Sequence, residues 1–208
     1  ATVARELQGT EVMVGAQNMH WEERGAFTGE ISPLMIRDCG AQIVELGHSE
    51  RRAYFAETDQ TINRKVLAGL RHNLHPLVCV GETAEEKVLG VAAEVVSRQV
   101  KIALNGVSRE QAGQMLLAYE PVWAIGDQGT PAEPEYAQQI HQVIREAAAH
   151  KFGPQAAQAL PVLYGGSVNP QNAVPFIRQP DIDGLFIGRS AWTVASFINI
   201  LRQVVECV

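Results

Sequence analysis

Short apolar runs alternate along this chain with longer stretches of helical periodicity. Leu77-Val78-Cys79-Val80, Met115-Leu116-Leu117-Ala118-Tyr119 and Leu185-Phe186-Ile187 are short and apolar, as strands covered by helices should be. The pattern predicts strands at 11–16, 41–46, 76–80, 114–119, 161–164 and 182–187. Helices are predicted near 31–39, 58–74, 84–104, 134–151, 170–178 and 192–206, and residues 1–8 read as the end of another. Pro76 and Pro161 mark strand entries, while Gly81, Gly126 and Gly165 mark strand exits. Six strand–helix units in succession imply an α/β fold with a parallel sheet and right-handed crossovers. No linker, low-complexity tract or charge block divides the chain, so a single domain over 1–208 is expected.

One strand end carries more than packing. The strand at 114–119 ends on a carboxylate, Glu120, and Pro121 stiffens the exit and keeps Glu120 extended. Trp123 and Gly126 then open a loop of small residues, Gly126-Asp127-Gln128-Gly129-Thr130-Pro131. A carboxylate beside a glycine-bearing loop suits a general base under a movable lid, although by spacing alone a solvated glutamate at an ordinary strand end is the commoner case.

The string Ala118-Tyr119-Glu120-Pro121-Val122-Trp123-Ala124-Ile125-Gly126 resembles the lid motif of the triosephosphate isomerase family almost letter for letter. Gly47-His48-Ser49-Glu50-Arg51-Arg52 resembles the family's electrophile motif, and Tyr164-Gly165-Gly166-Ser167-Val168 its phosphate loop. Gly15-Ala16-Gln17-Asn18 and Gly25-Ala26-Phe27-Thr28-Gly29-Glu30 resemble its third-strand end and the interface loop that follows. These motifs occur in family order over essentially the whole chain. The resemblance implies a TIM barrel, which has eight strand–helix units over about 250 residues. With about six parallel units in 208 residues, this chain is expected to form an incomplete (β/α) barrel lacking the first two strands, the first helix and most of the second. Two open sheet edges would invite pairing, so rearranged closure or completion by a partner chain is expected.

The resemblance also implies a chemistry. Moving a carbonyl between adjacent carbons of a ketose or aldose phosphate needs a base and an electrophile that stabilises the enediolate oxygen. Triosephosphate isomerase is itself the standing illustration of a carboxylate and a neutral imidazole sharing those tasks. Glu120 is then the base and His48 the electrophile, with Glu50 as a supporting carboxylate and Ser49 as the cap of the following helix. Gly165, Gly166 and Ser167 would cradle a phosphate, Gly188 would supply a second helix start, and Gly126 a lid amide. Arg189 beside Gly188 could add charge to the phosphate site. The implied ligand is a small phosphorylated sugar, glyceraldehyde 3-phosphate and dihydroxyacetone phosphate in the family's usual role in glycolysis and gluconeogenesis, with no cofactor. Residues 18–30, including Asn18 and Thr28, resemble the loop that members insert into a neighbouring subunit, which implies a homo-oligomer.

Departures from the family pattern matter as much. Its first strand ends in Asn-x-Lys, and no such element follows a strand here. Lys65, Lys87, Lys101 and Lys151 all lie on helical stretches. Because such electrostatic groups contribute strongly to catalysis, greatly reduced or absent activity is expected of this chain alone. The family lid continues Gly-Thr-Gly-Lys, and its last strand ends Gly-Gly where this chain has Gly188-Arg189; Glu45 replaces a usual aliphatic. This combination resembles the branch acting on four-carbon erythrulose phosphates, with a non-catalytic phosphate-binding barrel fragment as the competing reading.

Bulk properties narrow the alternatives. Net charge −6 and a pI near 5.5 argue against nucleic acid or an anionic membrane as partner. No apolar run approaches the roughly 20 residues needed to span a bilayer. Cys39, Cys79 and Cys207 form no CxxC, which suits reduced thiols and a cytoplasmic setting. His72 and His75 lack the companions that a metal site needs.

Overall fold

The computed structural model describes residues 1–126 and 129–207; Asp127 and Gln128 of the expected lid lie outside the described residues. In chain order the elements are α1 (Thr2–Glu6), β1 (Gly15–Ala16), α2 (Pro33–Asp38), β2 (Ile43–Leu46), α3 (Ser49–Tyr54), α4 (Asp59–Arg71) and β3 (His75–Val80). There follow α5 (Ala84–Val88), α6 (Ala92–Ala103), α7 (Arg109–Ala112), β4 (Leu116–Tyr119), α8 (Pro134–Phe152), α9 (Pro154–Ala159), β5 (Val162–Tyr164), α10 (Ala173–Ile177), β6 (Gly184–Leu185) and α11 (Val194–Val205). Strand order follows the chain from β1 to β6, which is the incomplete (β/α) barrel arrangement expected from the pattern.

The boundaries differ from the sequence reading where local chemistry intervenes. The predicted helix at 84–104 is two helices, because the chain turns through Gly90 at φ +74 between α5 and α6. The predicted strand at 11–16 pairs only at Gly15 and Ala16, opposite Ile43 and Val44, and Glu11, Val12 and Met13 are exposed. Thr58, Thr83 and Ser108 each open a helix with a capping box, closed by Thr61, Glu86 and Gln111.

The chain folds as two compact units. The first comprises Ala1–Cys79 and Ile102–Leu116, the second Val80–Lys101 and Leu117–Val208. In the first, β1, β2 and β3 pair in parallel, with Ile43 opposite His75 and Leu46 opposite Val78. Val44, Leu46, Ile62, Val66, Leu74, Val78 and Leu104 are fully or almost fully buried there. Each such side chain contributes about 1.5–3 kcal/mol by leaving water, so this core outweighs any single surface contact.

In the second unit, β4 pairs with β5 and β5 with β6, again in parallel, with Tyr119 opposite Tyr164. The core is more aromatic: Tyr119, Tyr164 and Phe176 are buried, and the Tyr164 and Phe176 rings stack 3.9 Å apart. α11 differs from the other long helices. Ile200 is its one buried residue, whereas Val194, Phe197, Ile198, Leu201 and Val205 face outward. No helix among the described residues is long and apolar enough to cross a membrane.

Buried polar groups tie α8 to its surroundings. Arg145 donates to the carbonyls of Ala157 (3.0 Å), Leu160 and Asp181 (3.3 Å) and to the Asp183 carboxylate, which also accepts the Val162 amide at 2.7 Å. His141, fully buried, sits 3.1 Å from the Asp181 carbonyl through Nδ1, which must carry the proton because a carbonyl only accepts. Burial, assisted by the neighbouring Arg145 charge, lowers the His141 pKa to about 4. The unfolded chain therefore takes up a proton near pH 6.5 that the folded chain refuses until about pH 4, so stability falls as pH drops through that window. The expected loss is on the order of 3 kcal/mol. Urea unfolding at stepped pH checks this: His141→Gln should flatten the slope between those two pH values.

Candidate active site

The first unit places an imidazole at a helix start. Beyond β2, Gly47 turns the chain at φ +77, and a Cβ there would lie 2.7 Å from Ile62 Cδ1, so glycine is required twice over. His48 is the N-cap of α3, its Nδ1 accepting the Glu50 amide at 3.3 Å. The sequence suggested Ser49 as the cap. Ser49 is instead the first helical residue and is buried, because the imidazole reaches the orphan amide one position earlier. A ring whose Nδ1 accepts an N–H holds its proton on Nε2 when neutral, which leaves Nε2–H as a donor. Glu50 stands with Oε2 3.9 Å from Nδ1 and a side chain 67% exposed.

Arg52 fixes this turn from behind. Its Nε donates to the Gly47 carbonyl (2.8 Å), and its two terminal nitrogens donate to Asp59 (2.6 Å) and to the Cys79 carbonyl (3.1 Å). Next to it, the buried Glu57 carboxylate receives Arg51 Nε at 2.7 Å and the Lys65 ammonium, and Lys65 donates onward to Asn18 Oδ1 at 2.7 Å. Burial opposes ionisation of Glu57, but the bonds from Lys65 and Arg51 outweigh it and hold the carboxyl below its ordinary range. Lys65 and Glu57 form a buried ion pair that sequence reasoning missed: nothing in a helical stretch signalled an ammonium turned inward. Thr28 is exposed on the 18–30 loop, where the His20 ring lies 4.1 Å from Trp21 and 4.2 Å from Phe27.

The second unit holds the carboxylate. Glu120 follows β4 and is 3% exposed. Its amide donates to the Val80 carbonyl at 2.7 Å, while the Gly165 amide donates to the Tyr119 carbonyl at 2.7 Å. Two glycines make the approach possible. A Cβ at Gly81 would fall 1.8 Å from the Glu120 carbonyl oxygen, and one at Gly165 would fall 3.0 Å from Glu120 Cγ. Gly165 is thus needed for the carboxylate's packing, whatever it does for an anion.

The segment leading into the expected lid is anchored by a carboxylate that the sequence analysis passed over. Glu82 is fully buried and accepts from Tyr119 Oη (3.1 Å to each oxygen), Trp123 Nε1 (2.8 Å) and Tyr136 Oη (3.0 Å). Burial first, and the adjacent carboxylate second, push both tyrosine pKa values upward, so both hydroxyls stay protonated as donors. The Lys87 ammonium lies 3.2 Å from the centre of the Trp123 ring. The available signal was a carboxylate directly after a strand-exit glycine.

The glycine turns adjoin these groups. Gly166 passes so near Tyr164 that a Cβ would lie 2.1 Å from Oη. Ser167 is half-buried, and its carbonyl accepts Asn172 Nδ2 at 2.7 Å. The helix expected at Asn169-Pro170 begins only at Ala173, because Asn169 and Asn172 first close a turn on each other's amides. Gly188 and Arg189 are exposed at the start of a short 3₁₀ turn, Arg189–Ala191. Arg189 donates to the Gly126 carbonyl at 2.7 Å, and Ser190 Oγ to the Val168 carbonyl at 2.7 Å. No group of three or more potential metal ligands occurs among the described residues.

Parallel strand–helix units in chain order, with glycines at their strand exits, are the arrangement of a (β/α)-barrel protein. The family model for triosephosphate isomerase matches residues 1–204, and the chain belongs to that family. Relatives include the L-erythrulose-1-phosphate isomerase of Rhizobium etli, 56% identical over 97% of this chain and 74% of its own length. The protein of that name from Rhizobium meliloti is 52% identical over 99% of this chain and 80% of its own, and that of Brucella abortus 53% over 95% and 76%.

The glycine geometry makes a sharp prediction. Gly81→Ala should destabilise the protein by about 3 kcal/mol or more, since a backbone oxygen cannot yield. Gly113→Ala, whose Cβ would meet only the Glu110 carbonyl at 3.8 Å, should change stability by less than about 0.5 kcal/mol. Chemical denaturation of both variants checks the contrast.

Proposed function

We infer that this chain acts as an isomerase on L-erythrulose 1-phosphate, with Glu120 as base and His48 as electrophile. The substrate comes from the relatives' shared name at 52–56% identity. The observation that carries the chemistry is Glu120, buried at its strand end and flanked by glycines that admit no side chain.

The substrate's own bonding then fixes the reaction. With phosphate on C1 and the carbonyl at C2, only C3 is both adjacent to the carbonyl and hydroxyl-bearing. Glu120 takes the C3 proton, the freed electron pair forms the C2–C3 double bond, and the C2 oxygen becomes the enediolate oxygen. His48 Nε2–H stabilises that oxygen and relays the hydroxyl proton from O3 to O2. Return of the carbon proton to C2 leaves the carbonyl at C3. The product is again a ketose phosphate, whereas the triose reaction expected from the family at large ends on an aldehyde. Glycine-turn amides at Gly165, Gly166 and Gly188 bind the phosphate, whose carbon C1 takes no part in the proton transfers.

Proton NMR of L-erythrulose 1-phosphate in deuterated water reads both turnover and exchange at C3, with dihydroxyacetone phosphate as a parallel substrate. Glu120→Gln should lower kcat by about 10²–10⁴-fold. Equal rates for the two proteins would sink the assignment. The 18–30 loop, with its exposed Phe27 and Thr28, fits a contact between copies of the chain, and light scattering at micromolar concentration should give more than a monomer's mass.

A further inference from the structure

Three loops of the second unit meet through two consecutive side chains. Arg189 donates to the carbonyl of Gly126, the lid residue, while Ser190 donates to the carbonyl of Val168, at the end of the Gly165–Val168 turn. Both residues belong to the turn opened by Gly188, which is closed by Ala191 N to the Gly188 carbonyl (2.9 Å) and Trp192 N to the Arg189 carbonyl (3.0 Å). The Gly165–Val168 turn is itself held by Asn172 through the Ser167 carbonyl. The lid start, in turn, hangs from Glu82 through Trp123.

We propose that Arg189 is a positioning residue that ties the lid at Gly126 to the phosphate-binding turns. The position of the lid and the affinity for the substrate's phosphate are thereby coupled. The proposal rests on the functional reading above for the identity of the ligand, but the tie itself is a hydrogen bond within the chain. Gly126 lies at φ +85, and the Arg189 guanidinium holds its carbonyl at 2.7 Å. A planar guanidinium serves this better than an ammonium, because its donors are held in a fixed fork. The charge comes with the donor: an anion entering beside Gly188 meets the cation that already holds the lid, so the two are drawn into one arrangement. A second glycine in place of Arg189 would leave the lid with no tie from this turn.

Hydrogen exchange by mass spectrometry, with calorimetry using 2-phosphoglycolate and inorganic phosphate as probes, tests this on the whole chain. Arg189→Met should speed amide exchange over 122–126 and 129–130 by about tenfold, leave β4 and β5 unchanged, and weaken 2-phosphoglycolate by about tenfold. Arg189→Lys should recover much of the anion affinity but not the slow lid exchange. Unaltered lid exchange in Arg189→Met overturns the proposal. So does weakened phosphate binding that Arg189→Lys fully restores with no change at the lid, which would mark Arg189 as a simple phosphate contact. Failure of the erythrulose assay would leave the exchange readout intact, so the two ideas fail separately.

Discussion

The strand ends of the second unit depend on how closely Gly81 approaches the backbone of Glu120. A bond from the Glu120 amide to the Val80 carbonyl draws the two strand ends together, and the space left is too small for even a methyl group. Close-packed interiors give way only where a neighbour can move, and a strand-end carbonyl cannot. From that approach follow the burial of the carboxylate, the seating of Gly165 against its Cγ, and the placing of Glu82, one residue beyond Gly81, beneath the start of the lid.

Charge is handled differently in the two units. In the first, the Glu57 carboxylate is met by two cations, Arg51 and Lys65, and Lys65 goes on to hold Asn18. In the second, Glu82 is met by two hydroxyls and an indole. Such donors compensate a buried carboxylate without a rigid ion pair, and they join residues from the strand end, the lid start and the first turn of α8. Nearby, His141 illustrates the converse, an imidazole kept neutral by burial so that it can donate to a carbonyl.

Much of this was legible in the sequence because it is local. Six apolar runs became six strands, and Gly-His-Ser-Glu-Arg and the Tyr119–Gly126 string fell at strand ends as expected. Gly90 was visible as a turn former yet was read through, because helical periodicity continues across it, and Asn169 was read as opening a helix where it closes a turn with Asn172. What was not legible is non-local. The three donors to Glu82 lie 37, 41 and 54 positions away, and nothing in Glu-Thr-Ala advertises them. The cap by His48 was missed for another reason: serine is the commoner cap, and only the turn's geometry shows which side chain reaches the amide.

Strand order carries a consequence for how such a chain is made. Within each unit every strand lies beside the next one in sequence, so each new pairing closes only a single strand–helix crossover. Contacts of short sequence separation form early and cheaply in entropy. A ribosome releasing this chain from its N-terminus can therefore pair each strand with its predecessor within a unit, although the first unit is complete only once Ile102–Leu116 has emerged. The helices with their own capping boxes, α4, α5 and α7, start from signals contained within four residues, which suits assembly in order of synthesis.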